Sequence, residues 1–129
     1  GAPETFPRKT AKAERPRRYG VAYLLTRSDE VALVRRPPKG LLGGMLALPT
    51  SDWGPTRLSE AEARAAAPVQ AHWRNAGEIQ DVFTHFSLPL RVLRAEGDGA
   101  DVIGTKARDL GALPSVYLKA ARAGLSSLL

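Results

Sequence analysis

The sequence contains no cysteine in 129 residues. Disulfides, thiolate metal sites and cysteine nucleophiles are therefore excluded. The absence suits a reducing compartment, and a cytoplasmic protein is the expectation. Histidine is also scarce, with His72 and His85 the two in the chain. A metal centre built on them would need carboxylate ligands as well. No run of eighteen apolar residues occurs, so no membrane-spanning helix is expected. The polar, Pro-rich N-terminus has no signal-peptide pattern. Aromatics make up only 6% of the chain, so where they cluster is informative. Acidic residues are outnumbered, 13 Asp and Glu against 19 Lys and Arg, for a formal charge of +6.

That charge is unevenly placed. Residues 1–18 hold six bases (Arg8, Lys9, Lys12, Arg15, Arg17, Arg18) against Glu4 and Glu14. This stretch carries +4, which leaves +2 for the other 111 residues. Such an arm can neutralise phosphates and release their counterions, or it can be a solvated linker that is basic by composition. Pro3, Pro7, Pro16 and the lack of any apolar period mark residues 1–16 as an extended or disordered linker. Residues 17–129 are expected to form one domain, and a hydrophobic content of 43% is enough for an ordinary core.

Residues 19–27 are apolar in the middle and read as a buried strand. Ser28-Asp29 turns the chain, and residues 30–36 return as a second strand of a hairpin. Residues 37–44 form a loop in which Gly40, Gly43 and Gly44 permit positive φ and close backbone approach. The loop leads into a third strand at 45–48, which Pro49 ends; it could also donate backbone N–H groups to a phosphate or base. Ser59 and Glu62 make a capping box for a helix that stops before Pro68. Residues 72–74 start a strand, 75–77 turn it, 78–83 continue it and 86–95 return. A Gly-Asp loop and a short strand at 101–104 follow. Pro114 opens a last helix whose apolar face is Leu113, Val116, Tyr117, Ala120, Ala121, Leu125 and Leu128. The order β-β-β-α-β-β-β-α predicts an α/β (α+β) sandwich, a mixed sheet flanked by helices. Periodicity does not choose its topology.

The densest aromatic and histidine cluster lies within residues 81–90. Val82, Thr84, Phe86, Leu88, Leu90 and Val92 alternate as a strand with one buried face. Phe83, His85, Ser87 and Arg91 fall on the other face, where a Phe and a His need a covering layer or a ligand. Thr84 brings a hydroxyl that both donates and accepts. His85 has Thr84 and Ser87 nearby, but strand neighbours on alternating faces do not make a catalytic triad.

Val82-Phe83-Thr84-His85-Phe86 resembles the Phe-Ser/Thr-His loop of the MutY family, adenine DNA glycosylases that act on adenine opposite 8-oxoguanine. Arg35-Arg36-Pro37-Pro38-Lys39-Gly40-Leu41-Leu42-Gly43-Gly44-Met45 is similar to that family's Arg-Arg-Pro…Gly-Leu-Leu-Gly-Gly-Leu motif. Leu113-Pro114-Ser115-Val116 followed by Lys119 is similar to its last-helix motif. Order and spacing fit the family's C-terminal domain. The resemblance implies a Nudix-like sandwich that recognises double-stranded DNA carrying 8-oxoguanine opposite adenine, in base excision repair. It implies lesion or DNA contacts from Phe83, Thr84, His85, Arg36, Lys39, Gly43 and Gly44. It also implies that the catalytic carboxylate, the helix-hairpin-helix and the four-cysteine 4Fe-4S cluster belong to an N-terminal domain of the same protein. On that reading the chain holds no cofactor, that domain is its partner, and the fragment itself is non-catalytic. Thr84 stands where Ser is commoner, and Asp81 stands where the family often has His or another base. The alternative is a Nudix-type hydrolase of a nucleoside diphosphate derivative. Such an enzyme needs clustered carboxylates for Mg²⁺, and the helix between Gly43 and Pro68 offers only Glu60 and Glu62. A protein-interaction domain on the same fold is the third possibility.

Overall fold

Seven of the eight residues of the first strand are buried, so that strand has to lie between two covering layers. The computed structural model describes residues 16–27, 30–39, 42–97, 105–107 and 113–126. The expected linker, apart from Pro16, and the expected strand at 101–104 lie outside the described residues. The elements are β1 (Gly20–Arg27), β2 (Glu30–Arg35), β3 (Leu46–Ala47), α1 (Glu60–Ala65), β4 (Arg74–Val82), β5 (Ser87–Glu96), β6 (Thr105–Ala107) and α2 (Ser115–Ser126). The sheet runs β3-β2-β1-β5-β4, with β6 antiparallel to β2. β1 and β5 pair in parallel from Gly20↔Leu90 to Thr26↔Glu96, and the other pairs are antiparallel. The expected mixed sheet with flanking helices is what forms.

Side chains of alternate parity fill the two layers. Ala22 and Leu24 join Leu88, Leu90 and Val92 under Val116, Tyr117, Ala120 and Ala121 of α2. Val21, Tyr23 and Leu25 join Leu93, Ala95, Trp73 and Ala63 of α1. Tyr23 donates to the Ala63 carbonyl at 2.5 Å and meets Trp73 edge-on at 5.3 Å. Burial pushes the Tyr23 hydroxyl up to about 12. α2 lies very close to the sheet: a Cβ at Gly124 would sit 2.5 Å from Leu24 Cδ2. Gly124, rather than the expected Leu125, therefore faces the core, and Leu125 is exposed. Leu128 lies outside the described residues. Buried Arg94 donates to the Gly124 carbonyl at 3.1 Å, a cation meeting the last turn of the helix.

Two strands differ from expectation. The turn expected at 75–77 is a bulge within β4: the register skips between Asn75 and Gly77, and pairing with β5 resumes. Gly77 takes φ 122°, and its N–H donates to Asn75 Oδ1 at 3.0 Å. The third strand has two residues rather than four. β1 and β2 pair only at Thr26↔Val31 and Arg27↔Glu30. The chain leaving β3 bonds instead to the start of β1: Tyr23 N donates to Pro49 O (2.8 Å), Ser51 N to Val21 O (2.9 Å) and Tyr19 N to Gly54 O (2.8 Å). That crossing from β2 to β1 brings Trp53 over Gly20.

The expected capping box is present. Ser59 Oγ accepts from Glu62 N at 3.1 Å, and Glu62 Oε1 accepts from Ser59 N at 2.8 Å. The backbone bond from Ser59, with the Ser59 hydroxyl second, holds the Glu62 carboxyl below its ordinary value. A lowered carboxylate contributes stability above its unfolded pKa of about 4.3 and loses it as pH falls through the folded value. Ser59→Ala is expected to cost about 1 kcal/mol at pH 7. Glu62→Ala is expected to destabilise at pH 7 and less at about pH 3, below the unfolded value. Urea denaturation of the two variants at both pH values checks the sign.

Candidate nucleic-acid interface

The β4–β5 ladder ends at Val82↔Ser87, and Phe83 N donates to Phe86 O at 2.8 Å across the four residues that remain. This closed turn interrupts the two-residue alternation. Phe83 and Phe86, expected on opposite faces, fold to the same side with ring centroids 5.0 Å apart. Both meet Trp53, at 6.2 Å and 6.3 Å, and all three pack against the α2-side core. Thr84 and His85 are left exposed at the tip. The Thr84 hydroxyl has no hydrogen-bond partner among the described residues, so it is not used to satisfy local backbone.

Trp53 is the seat of the cluster. A Cβ at Gly20 would lie 2.6 Å from Trp53 Cδ1, so the indole rests on bare backbone. Its Nε1 is buried with no hydrogen-bond partner among the described residues; packing rather than a directed bond sets the ring. A guanidinium stands at each end of the aromatic row. The Arg36 carbon lies 5.2 Å from the Trp53 centroid, and the Arg18 carbon lies 5.8 Å from that of Phe86. Arg36 Nη1 also donates to the buried Tyr117 hydroxyl at 3.1 Å, linking the row to α2. Burial raises the Tyr117 pKa against the opposing effect of Arg36.

Arg36 opens the glycine loop. Gly44 takes φ 75° and Leu42 φ 60°, and a Cβ at Gly43 would meet Pro38 O at 2.5 Å. Gly44 N donates inward to Pro37 O (2.9 Å) and Arg36 O (3.3 Å), and Arg35 Nη1 reaches Gly44 O (2.7 Å). These glycines let the loop close on itself, and the Gly44 N–H is engaged within the fold. Lys39 is exposed on the same loop. The structure thus joins Arg36 to Phe83 through Trp53, and it records no contact between Lys39, Gly43 or Gly44 and the hairpin. Asp81 is matched by Lys119 Nζ of α2 at 3.0 Å, so the acid beside the hairpin is neutralised. Reading the sequence singled out neither Trp53 nor Arg18. A large aromatic in a polar stretch, Thr50-Ser51-Asp52-Trp53-Gly54-Pro55, was the available signal.

A Mg²⁺ site of the Nudix type does not fit these residues. Glu62 is engaged in capping, and Glu60 faces Arg64 at 3.9 Å on a six-residue helix. Among the described residues no three His, Asp or Glu side chains group closely enough to hold a metal ion. No helix of the described residues is long and apolar enough to cross a membrane.

The chain matches the NUDIX domain over residues 20–121 and belongs to that family. Within it, the chain is 30% identical over 112 residues to the adenine DNA glycosylase of Homo sapiens, an alignment covering 78% of this chain and 20% of the relative. The chain therefore spans about a fifth of that relative's length. Its structure is similar to the C-terminal domain of mouse MUTYH seen in complex with human PCNA. The TM-score is 0.61 and the identity 18%, over 84% of this chain and 88% of that one. It is also similar to the MutT protein from Methanosarcina mazei Go1, with a TM-score of 0.62 and 14% identity, over 88% of this chain and 94% of that one. At these identities the two structural likenesses show the fold alone.

Gly20→Ala is expected to drive the Trp53 indole off its seat and to cost about 1–3 kcal/mol through overpacking. In NMR spectra the Trp53 indole N–H should shift. That of Trp73, bonded to Val69 O at 2.9 Å, should hold its place. An unmoved Trp53 signal would contradict the seating described.

Proposed function

We propose that this chain is the 8-oxoguanine-recognition domain of an adenine DNA glycosylase, acting in base excision repair of A:8-oxoguanine mispairs. Its partners are double-stranded DNA containing that mispair and the catalytic domain of the same protein. The catalytic domain supplies the excision chemistry and the 4Fe-4S cluster; the chain described here supplies recognition and holds no cofactor. Residues 1–16 are its basic linker and 17–129 the folded domain. The protein works in the cytoplasm, on DNA.

One observation carries the reading: the free Thr84 hydroxyl stands at the exposed tip of a turn whose two phenylalanines are packed on Trp53. Guanine offers a bare N7 acceptor. The lesion offers an N7–H donor and an added O8 acceptor. One hydroxyl can accept from the first and donate to the second. His85, also exposed, can donate to a phosphate, and Phe83 holds the turn and can pack against a base or sugar. Arg36 anchors the row, exposed Lys39 offers a phosphate contact, and Gly43 and Gly44 shape the loop that carries it. The identity with an adenine DNA glycosylase supports the same reading. The nucleotide-hydrolase alternative has likeness of fold in its favour, and its carboxylates are engaged elsewhere.

The test is made in the full-length protein that contains this domain. Thr84→Ser keeps the hydroxyl and is expected to be mild. Thr84→Val keeps the shape and is expected to narrow the preference for adenine opposite 8-oxoguanine over adenine opposite guanine by about 1–2 kcal/mol. Lowered stability with an unchanged ratio of excision rates would refute the recognition role.

A further inference from the structure

We propose that Arg18 is a positioning residue for lesion discrimination: from the point where the chain joins the sheet, it sets the attitude of the turn that presents Thr84. The proposal rests on the recognition reading of that turn. Three contacts converge on Arg18. Its backbone N–H donates to Ser87 O at 2.9 Å, and Ser87 N donates to Pro16 O at 2.9 Å. Residues 16–18 are thus bridged in parallel to the first residue of β5. Its Nη2 donates to Trp53 O at 2.8 Å. Its guanidinium carbon lies 5.8 Å from the centre of the Phe86 ring. One residue therefore ties together three parts: its backbone holds the end of the strand, and its side chain links the backbone of the Trp53 seat to the turn itself.

A guanidinium suits this place because it is planar. It can stack on an aromatic face while its in-plane N–H groups bond elsewhere, and an ammonium cannot do both in the same way. The acceptor on Trp53 is a neutral carbonyl, so the bond costs Arg18 none of its charge beside the turn. Reading N7–H and O8 with one hydroxyl requires hydrogen-bond lengths to hold within a few tenths of an ångström. Thr84 and His85 are exposed and have few neighbours to hold them. Their placement is inherited from Phe83 and Phe86, and Arg18 bears on Phe86 directly.

The test is a double-mutant cycle in the full-length protein, read as the ratio of adenine-excision rates opposite 8-oxoguanine and opposite guanine. Arg18→Ala is expected to narrow the ratio roughly five-fold. Added to Thr84→Val it is expected to narrow it by less than about two-fold, because both changes act through one hydroxyl. Arg18→Gln retains a donor for the Trp53 carbonyl, is expected to fall between wild type and Arg18→Ala, and supplies the cycle should Arg18→Ala not fold. If Thr84→Val narrows the ratio and the Arg18 variants leave it unchanged, the positioning role is overturned and the recognition reading stands. Fully additive effects also overturn it, because they would make Arg18 a separate contact. If Thr84→Val itself changes nothing, the recognition reading falls and the role of Arg18 in discrimination falls with it. A readout without DNA separates position from mere stability. In this 129-residue chain, Arg18→Ala should shift the Thr84 and His85 amide resonances at temperatures where the fold is intact, and unmoved resonances overturn the proposal.

Discussion

The contact on which the hairpin depends is that of the Trp53 ring with the bare backbone at Gly20. It exists because β1 and β2 part after two residue pairs and the chain crosses from one to the other between residues 46 and 54. Had the hairpin stayed zipped, Trp53 would have no seat and Phe83 and Phe86 no floor. With it, three rings pack at 5.0–6.3 Å spacing, and the turn between two strands becomes a fixed projection. Stacked aromatics of this kind add about 0.5–1.5 kcal/mol per pair beyond area burial, which suits a contact that sets position as well as stability.

Charge follows the same geometry. Arg18 and Arg36 flank the aromatic row, and Lys119 cancels Asp81. On the outer side Arg57 lies over Tyr19 at 5.0 Å and is paired with Glu78. Two of these four cations, Lys119 and Arg57, are thus matched by carboxylates, which fits a surface that reads a base while another domain carries most of the backbone contact.

The parts of the fold legible in the sequence were those set by local pattern. The alternation from Val82 to Val92 gave β5, the apolar middle of 19–27 gave β1, and Ser59 with Glu62 gave the start of α1. The turn bearing Phe83, Thr84 and His85 was legible as a bend, but not the side to which Phe83 goes, because a four-residue closure resets the alternation. Trp53 was not legible: its partners Phe83 and Phe86 lie about thirty residues away, and the strand parting that brings them together has no local signature. Gly124 in place of Leu125 was hidden for a similar reason, since only the closeness of helix and sheet decides which of two neighbours faces inward.

In the proposed function the lesion is read at one end of the β4–β5 hairpin, by groups the aromatic row holds in place. The far end, at Arg74↔Arg94, lies about 25 Å away along the strands, and Arg64, His72, Arg74 and Glu96 line a separate polar pocket there. Amide shift mapping of the chain with two otherwise identical duplexes, one with 8-oxoguanine opposite adenine and one with guanine opposite adenine, compares the two ends directly. The difference between the two maps is expected to peak at Thr84 and His85 and to fade toward Arg74. A difference centred on Arg64, His72 and Arg74, or none at the turn, would contradict it.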